Sequence, residues 1–79
     1  MPELVVKVLD YDTGKGLFGV LVALDSYVTG TDHTGIARIV VPAGRYTLRI
    51  RSPFYEPVTE DINITRDMTI TVKLRKLHL

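Results

Sequence analysis

Residues 35–51, GIARIVVPAGRYTLRIR, leave little freedom in how this chain folds. Ala37, Ile39 and Val41 recur at every second position. After a break, Tyr46, Leu48 and Ile50 do the same, with Thr47, Arg49 and Arg51 on the opposite parity. A period of two is that of half-buried strands. Pro42-Ala43-Gly44 lies between the two runs. Proline presets φ at about −65° and glycine accepts a positive φ, so this spacing predicts a short hairpin at the centre of an all-β sandwich.

The same period predicts strands over residues 4–9, with Leu4, Val6 and Val8 inward, and 17–25, with Val20, Val22 and Leu24 inward. A short third strand is expected around Tyr27 to Thr29. Two more follow over 58–64, with Ile62 and Ile64 inward, and over 69–75, with Ile70, Val72 and Leu74 inward. Gly19 marks a bulge or a close backbone approach. Asp10, Asp12 and Asp32 suit turns in which a carboxylate accepts nearby backbone amides, and Gly35 suits a positive φ. Pro53 and Pro57 hold the loop at 52–57 extended. Lys76 to Leu79 either extends the last strand or frays. Pro53, Pro57, Lys7 and Lys73 are candidates for guarding the sheet edges. No stretch carries a capped helical period. Strands separated by turn signals every eight to twelve residues or so are the signature of a sandwich or a barrel.

At 79 residues the chain is read as one domain, 1–79. A domain of this size buries only about 60% of its unfolded surface, so its core is marginal. The sequence has no cysteine, which excludes disulfides, thiolate zinc sites and thiol nucleophiles. A net charge of +1, mixed along the chain, gives no general field for nucleic acid. No apolar run approaches the roughly 20 residues of a membrane-spanning helix. The first strand begins almost at once, so no signal peptide is expected. The compartment stays open.

Val8-Leu9-Asp10, Thr13-Gly14, Leu17, Gly19-Val20-Leu21-Val22, Thr31-Asp32, Gly35 and Val41-Pro42-Ala43-Gly44-Arg45-Tyr46-Thr47-Leu48 follow one another in a recognisable order. In this order and spacing the chain resembles the carboxypeptidase regulatory-like domains, and the resemblance implies their fold, an all-β, seven-stranded antiparallel Greek-key sandwich of the transthyretin-like, or prealbumin-like, kind. The resemblance runs from Val6 to Leu74. Tyr55 matches a tyrosine that follows the fifth strand in such domains, although Phe54 replaces the usual small residue before it. The resemblance implies a non-catalytic folding, spacing or contact module. Hydroxyisourate hydrolases of the same fold end in Tyr-Arg-Gly-Ser and use paired histidines. Here the sequence ends Lys76-Leu77-His78-Leu79, so that activity is not expected. Nor is the internal Lys–Asn bond of collagen-adhesin domains. Lys7 and Lys73 fall on outward positions and the last strand has no asparagine.

Chemistry-bearing residues are few. His33 beside Asp32 and hydroxyls suggests a nucleophile–base pair or a metal ligand, but turn polarity explains the same residues. Asp10, Asp12 and Gly14 resemble a calcium loop without the closing glutamate. Asn63-Ile64-Thr65 is a glycosylation triplet. Arg45, Arg49, Arg51 and Arg38 form either a basic stripe or a solvated face paired with Glu56, Glu60 and Asp61. No enzyme activity, metal or cofactor is expected.

Val5, Leu9, Phe18, Leu21, Ile36 and Val40 fall on the wrong parity for the core. If they share one face, they make a patch larger than a soluble monomer usually exposes, covered by a second copy or a neighbouring domain. The leading expectation is thus a structural or protein-interaction module, acting by self-association or by docking to another domain. The alternative is a carbohydrate- or peptide-binding module. It would use loop-end aromatics and a histidine: Tyr11, Tyr27, His33, Phe54 and Tyr55.

Overall fold

The alternation is realised as strands throughout. The computed structural model describes residues 1–78 and, among them, no helix. The strands are β1 (Glu3–Asp10), β2 (Leu21–Leu24), β3 (Tyr27–Gly30), β4 (Ile36–Val40), β5 (Gly44–Arg51), β6 (Val58–Ile64) and β7 (Met68–Leu74). They form two sheets, ordered β4-β1-β7 and β3-β2-β5-β6. Each sheet turns one apolar face inward. Leu4, Val6 and Val8 of β1, Val22 and Leu24 of β2, and Leu48 and Ile50 of β5 have no exposure. The sandwich is therefore as expected. One pairing departs from antiparallel: β1 and β7 run parallel, Leu4 opposite Met68 through Asp10 opposite Leu74.

The expected hairpin at 36–51 is an arch instead. β4 pairs with β1 and β5 pairs with β2 and β6, so the two runs stand in different sheets. The physical reason lies in their apolar faces. A hairpin lays both faces side by side on one sheet, whereas an arch turns them toward each other across the core. Ala37 and Val41 then face the layer that holds Leu48 and Ile50, all buried. At the crossing, Val41 donates its amide to the Pro2 carbonyl and Pro42 has none to donate. The Tyr46 hydroxyl donates to the Pro42 carbonyl.

β2 begins at Leu21 rather than Leu17, because Gly19 adopts φ +74° and breaks the extended run. Gly16 and Gly35 mark a close crossing. A Cβ on Gly16 would lie 2.0 Å from the Thr34 carbonyl oxygen, and one on Gly35 2.7 Å from that of Val8, at φ +87°. Asp32 Oδ1 accepts the amides of Thr34 (2.9 Å) and Ile36 (3.1 Å), the expected turn. The Thr34 hydroxyl bonds the same carboxylate and, with those amides, holds its pKa below the usual range.

Lys7 lies on β1, the middle strand, and so guards no edge. Lys73 lies on the edge strand β7, and Pro57 immediately precedes the edge strand β6. Beyond β7, Lys76 bridges Tyr55 and Leu77 donates to the Phe54 carbonyl. The expectation for Leu79 falls outside the described residues. No helix among the described residues is long and apolar enough to cross a membrane.

Candidate interaction surface

The outward apolar residues do not share one face. Val5 and Leu9 of β1 and Ile36 and Val40 of β4 lie on the outer side of the three-stranded sheet. There they are interrupted by Glu3, Lys7 and Arg38, and Arg38 pairs with Glu3 at 3.6 Å. Val5, Leu9 and Ile36 are half-buried by these neighbours, while Val40 stays 52% exposed. Leu21 lies on the outside of the other sheet. Phe18 sits in the loop before β2, its ring stacked on His33 at 4.5 Å. The single patch is thus corrected. Parity alone does not say which sheet a strand joins.

The loop-end set divides as well. Tyr11, His33, Phe54 and Tyr55 belong to the end where β1 and β5 finish, and Tyr27 to the opposite end. Three of those four already have partners. The Arg75 guanidinium covers the Tyr11 ring at 3.8 Å, His33 stacks on Phe18, and the Tyr55 hydroxyl donates to Asp10 Oδ2 at 2.7 Å. Tyr27 meets Tyr46 edge-on at 6.1 Å. Phe54 alone of the set is largely free, at 76% exposure.

Asp10 is the polar anchor of this end. Its Oδ1 accepts the amides of Asp12 (2.8 Å) and Thr13 (3.1 Å), and Lys76 Nζ lies 3.6 Å from Oδ2. The Tyr55 hydroxyl and these amides lower its pKa to about 2; the same bond raises that of Tyr55. Both oxygens are engaged by the chain itself, so the Asp10-Asp12-Gly14 segment works as a turn. Among the described residues no group of three or more His, Asp or Glu is placed to hold a metal ion.

A coherent surface does form on the outside of the four-stranded sheet. The register puts Val28, Ala23 and Arg49 in one row across β3, β2 and β5, and Gly30, Leu21 and Arg51 in the next. Rows two residues apart are separated by about 7 Å, so the six positions form one block. Val28 is 60% and Leu21 44% exposed. The expected pairing of the arginines with Glu56, Glu60 and Asp61 is not made. Among the described residues the ion pairs are Arg38–Glu3 and Lys76–Asp10. Arg45 borders a 330 Å³ hollow with Asp25 and Asp61, but Arg49 and Arg51 stand beside the aliphatic side chains. Asp61 shares this outer face, opposite Thr47, yet among the described residues no carboxylate lies within ion-pair distance of Arg49 or Arg51. Aliphatic area flanked by such guanidinium groups is the composition of a protein-docking core. The run of arginines was visible in the sequence. Its juxtaposition with Leu21 and Val28 depends on the β2–β5 and β2–β3 registers, which no local pattern reports.

Two layers of this topology define a β-sandwich of the immunoglobulin and prealbumin kind. The sequence profile of the PEGA domain matches residues 18–78, and the chain belongs to that family. The earlier resemblance to carboxypeptidase regulatory-like domains holds at the level of the fold. A relative, S-layer protein B of Metallosphaera sedula, is 35% identical over 71 residues, covering 84% of this chain and 17% of that protein. The chain therefore spans about a sixth of that relative's length. Among solved structures, a chain of a type II cohesin–X-dockerin complex from Acetivibrio cellulolyticus superposes with TM-score 0.70. It is 20% identical, over 90% of this chain and 52% of that one. The 5-hydroxyisourate hydrolase of Klebsiella pneumoniae gives 0.70 at 20% identity, over 99% and 93%. A minor pilin of Streptococcus agalactiae gives 0.67 at 22% identity, over 99% and 45%. At these identities the structures share the fold with this chain.

Proposed function

We propose that residues 1–79 form one non-enzymatic module that docks onto a protein surface through the outer face of the four-stranded sheet. The observation that carries this is the block of Val28, Ala23, Arg49, Leu21 and Arg51, in which exposed aliphatic area adjoins two guanidinium groups that, among the described residues, have no carboxylate within ion-pair distance. Burying such area contributes about 25 cal/mol per Å², and the arginines select a partner with acidic residues at its rim. The family membership and the S-layer relative support a structural role among surface proteins. The carboxypeptidase regulatory-like resemblance supports the same reading, since it implies a contact module. Self-association is one form the docking takes if the partner is a second copy. The carbohydrate- or peptide-binding alternative is weaker, because most of its aromatic groups are already stacked or hydrogen-bonded within the chain.

The test is photo-crosslinking from a benzophenone side chain placed at position 23 or 28, in extract of the cells that make the protein. Crosslinks to protein from both positions, and none from position 71 on the other sheet, are expected. Crosslinks to glycan alone, or equal labelling from position 71, would refute the proposal.

A further inference from the structure

The two sheets differ in width. Three strands face four, and the β3–β4 side is packed shut, so the surplus strand lies at the other side, where β6 overhangs β7. The inward side chains Val58 and Ile62 of β6 and Met68, Ile70 and Val72 of β7 are only half-buried. Between them runs a cleft of about 420 Å³. Beyond one end of the two strands the chain is joined by the Tyr55–Lys76 bridge, and beyond the other by the turn at 65–67.

One inward position of β6 is not apolar. Glu60 pairs in register with fully buried Leu48, yet it is exposed and lines the cleft. Val58 and Ile62 lie two residues to either side of it. Lys73 also lines the cleft, from an outward position of β7, but among the described residues no cation lies within ion-pair distance of Glu60. The edge of β7 beside it has no strand partner.

We infer that this cleft receives an extended segment of a protein partner, which adds to β7 as a fourth strand of the narrower sheet. The segment carries Lys or Arg at one inward position and aliphatic side chains two residues before and after it. The added strand roofs β6. Its aliphatic pair, spaced by the strand period, covers Val58 and Ile62 while the cation meets Glu60. Backbone bonds to β7 supply affinity and the central charge supplies choice. A second copy of this chain does not fit. On its edge strands β3, β4, β6 and β7 every inward position is apolar or is Tyr27, Thr29 or Glu60, while the cations Arg38 and Lys73 fall on outward positions. The inference rests on the reading of the chain as an interaction module but uses a different surface.

The experiment is a display selection on the immobilised full chain, with blocked heptapeptides Thr-X-Thr-X-Thr-X-Thr randomised at X. Lys or Arg is expected at the central X, enriched roughly tenfold over Asp and Glu, with Val, Ile or Leu at the outer two. Glu60→Lys inverts the central preference, and Glu60→Gln erases it should the lysine variant fail to fold. Ala23→Lys, on the outer face, changes nothing. No enrichment, an unchanged preference in both Glu60 variants, or loss of preference in Ala23→Lys would overturn the inference. So would sedimentation showing a dimer that Glu60→Lys dissociates. Failure here leaves the crosslinks at positions 23 and 28 untouched, so the two proposals are separable.

Discussion

Thr31 offers a sharp test of how the end of this sandwich holds together. It is 5% exposed, and its hydroxyl does two jobs. Oγ1 accepts the Val20 amide at 2.9 Å and donates to the Leu17 carbonyl at 2.5 Å. It thereby fixes both ends of the turn that presents Phe18 and leads into Leu21. Thr31→Val keeps shape and β-branching but leaves an amide and a carbonyl without that partner. Each lost partner costs about 1–3 kcal/mol, the carbonyl toward the low end because its surroundings are only part-buried. The sum is about 2–4 kcal/mol, against a total stability of roughly 4–12 kcal/mol for a domain this size. The melting temperature should fall by roughly 10–25 °C. Thr31→Ser keeps both bonds, loses one methyl and should cost only about 1 kcal/mol. Urea titration followed by far-ultraviolet circular dichroism, with unchanged m-value, measures both. A valine variant within about 0.5 kcal/mol of the parent, or a serine variant less stable than the valine one, refutes the reasoning.

The Asp10 carboxyl has a folded pKa of about 2 against an ordinary 3.8. Its stabilisation is complete above about pH 4 and fades as pH falls toward 2. Tyr55→Phe removes the chief cause, so the difference in urea midpoint between pH 5 and pH 2.5 should shrink. An unchanged difference argues against the Tyr55–Asp10 bond. Gly35→Ala places a Cβ 2.7 Å from the Val8 carbonyl oxygen at φ +87°, and should cost more than about 2 kcal/mol or prevent folding; a thermal melt within 3 °C or so of the parent contradicts this. Ala23→Lys, on a half-buried outer position, should change stability by no more than about 1 kcal/mol while abolishing the crosslinks from position 28. Retained crosslinking would place the docking surface elsewhere.

The inward residues were legible because burial imposes period two, and Leu4, Val6, Val8, Val22, Leu24, Leu48 and Ile50 obey it. The turns at Asp10 and Asp32 were legible because a carboxylate two residues before an amide makes its bond locally. What escaped was pairing. Pro42-Ala43-Gly44 serves a hairpin or an arch equally well, and the choice depends on Val41 finding Pro2 across 39 residues of chain. Residues 5, 9, 36, 40 and 21 share a parity-based property yet fall on two sheets, for the same reason. In the sequence Glu60 reads as an outer-face partner for arginine. Its inward placement appears only once β6 is registered against Leu48.

The arch has a further consequence. By sending β5 to the second sheet, it lets β2 and β6 flank β5 and makes that sheet one strand wider than its partner. Had 36–51 closed as a hairpin, β4 would lie beside β5 and one of those neighbours would be displaced. Then either Arg49 and Arg51 would lose the aliphatic row of β2, or β6 would lose its place at the edge with Glu60 over the cleft. One crossing at Pro42 thus creates both the outer docking block and the unroofed edge. A substitution that retied this crossing should disturb both surfaces together, whereas side-chain changes on either surface should leave the other intact.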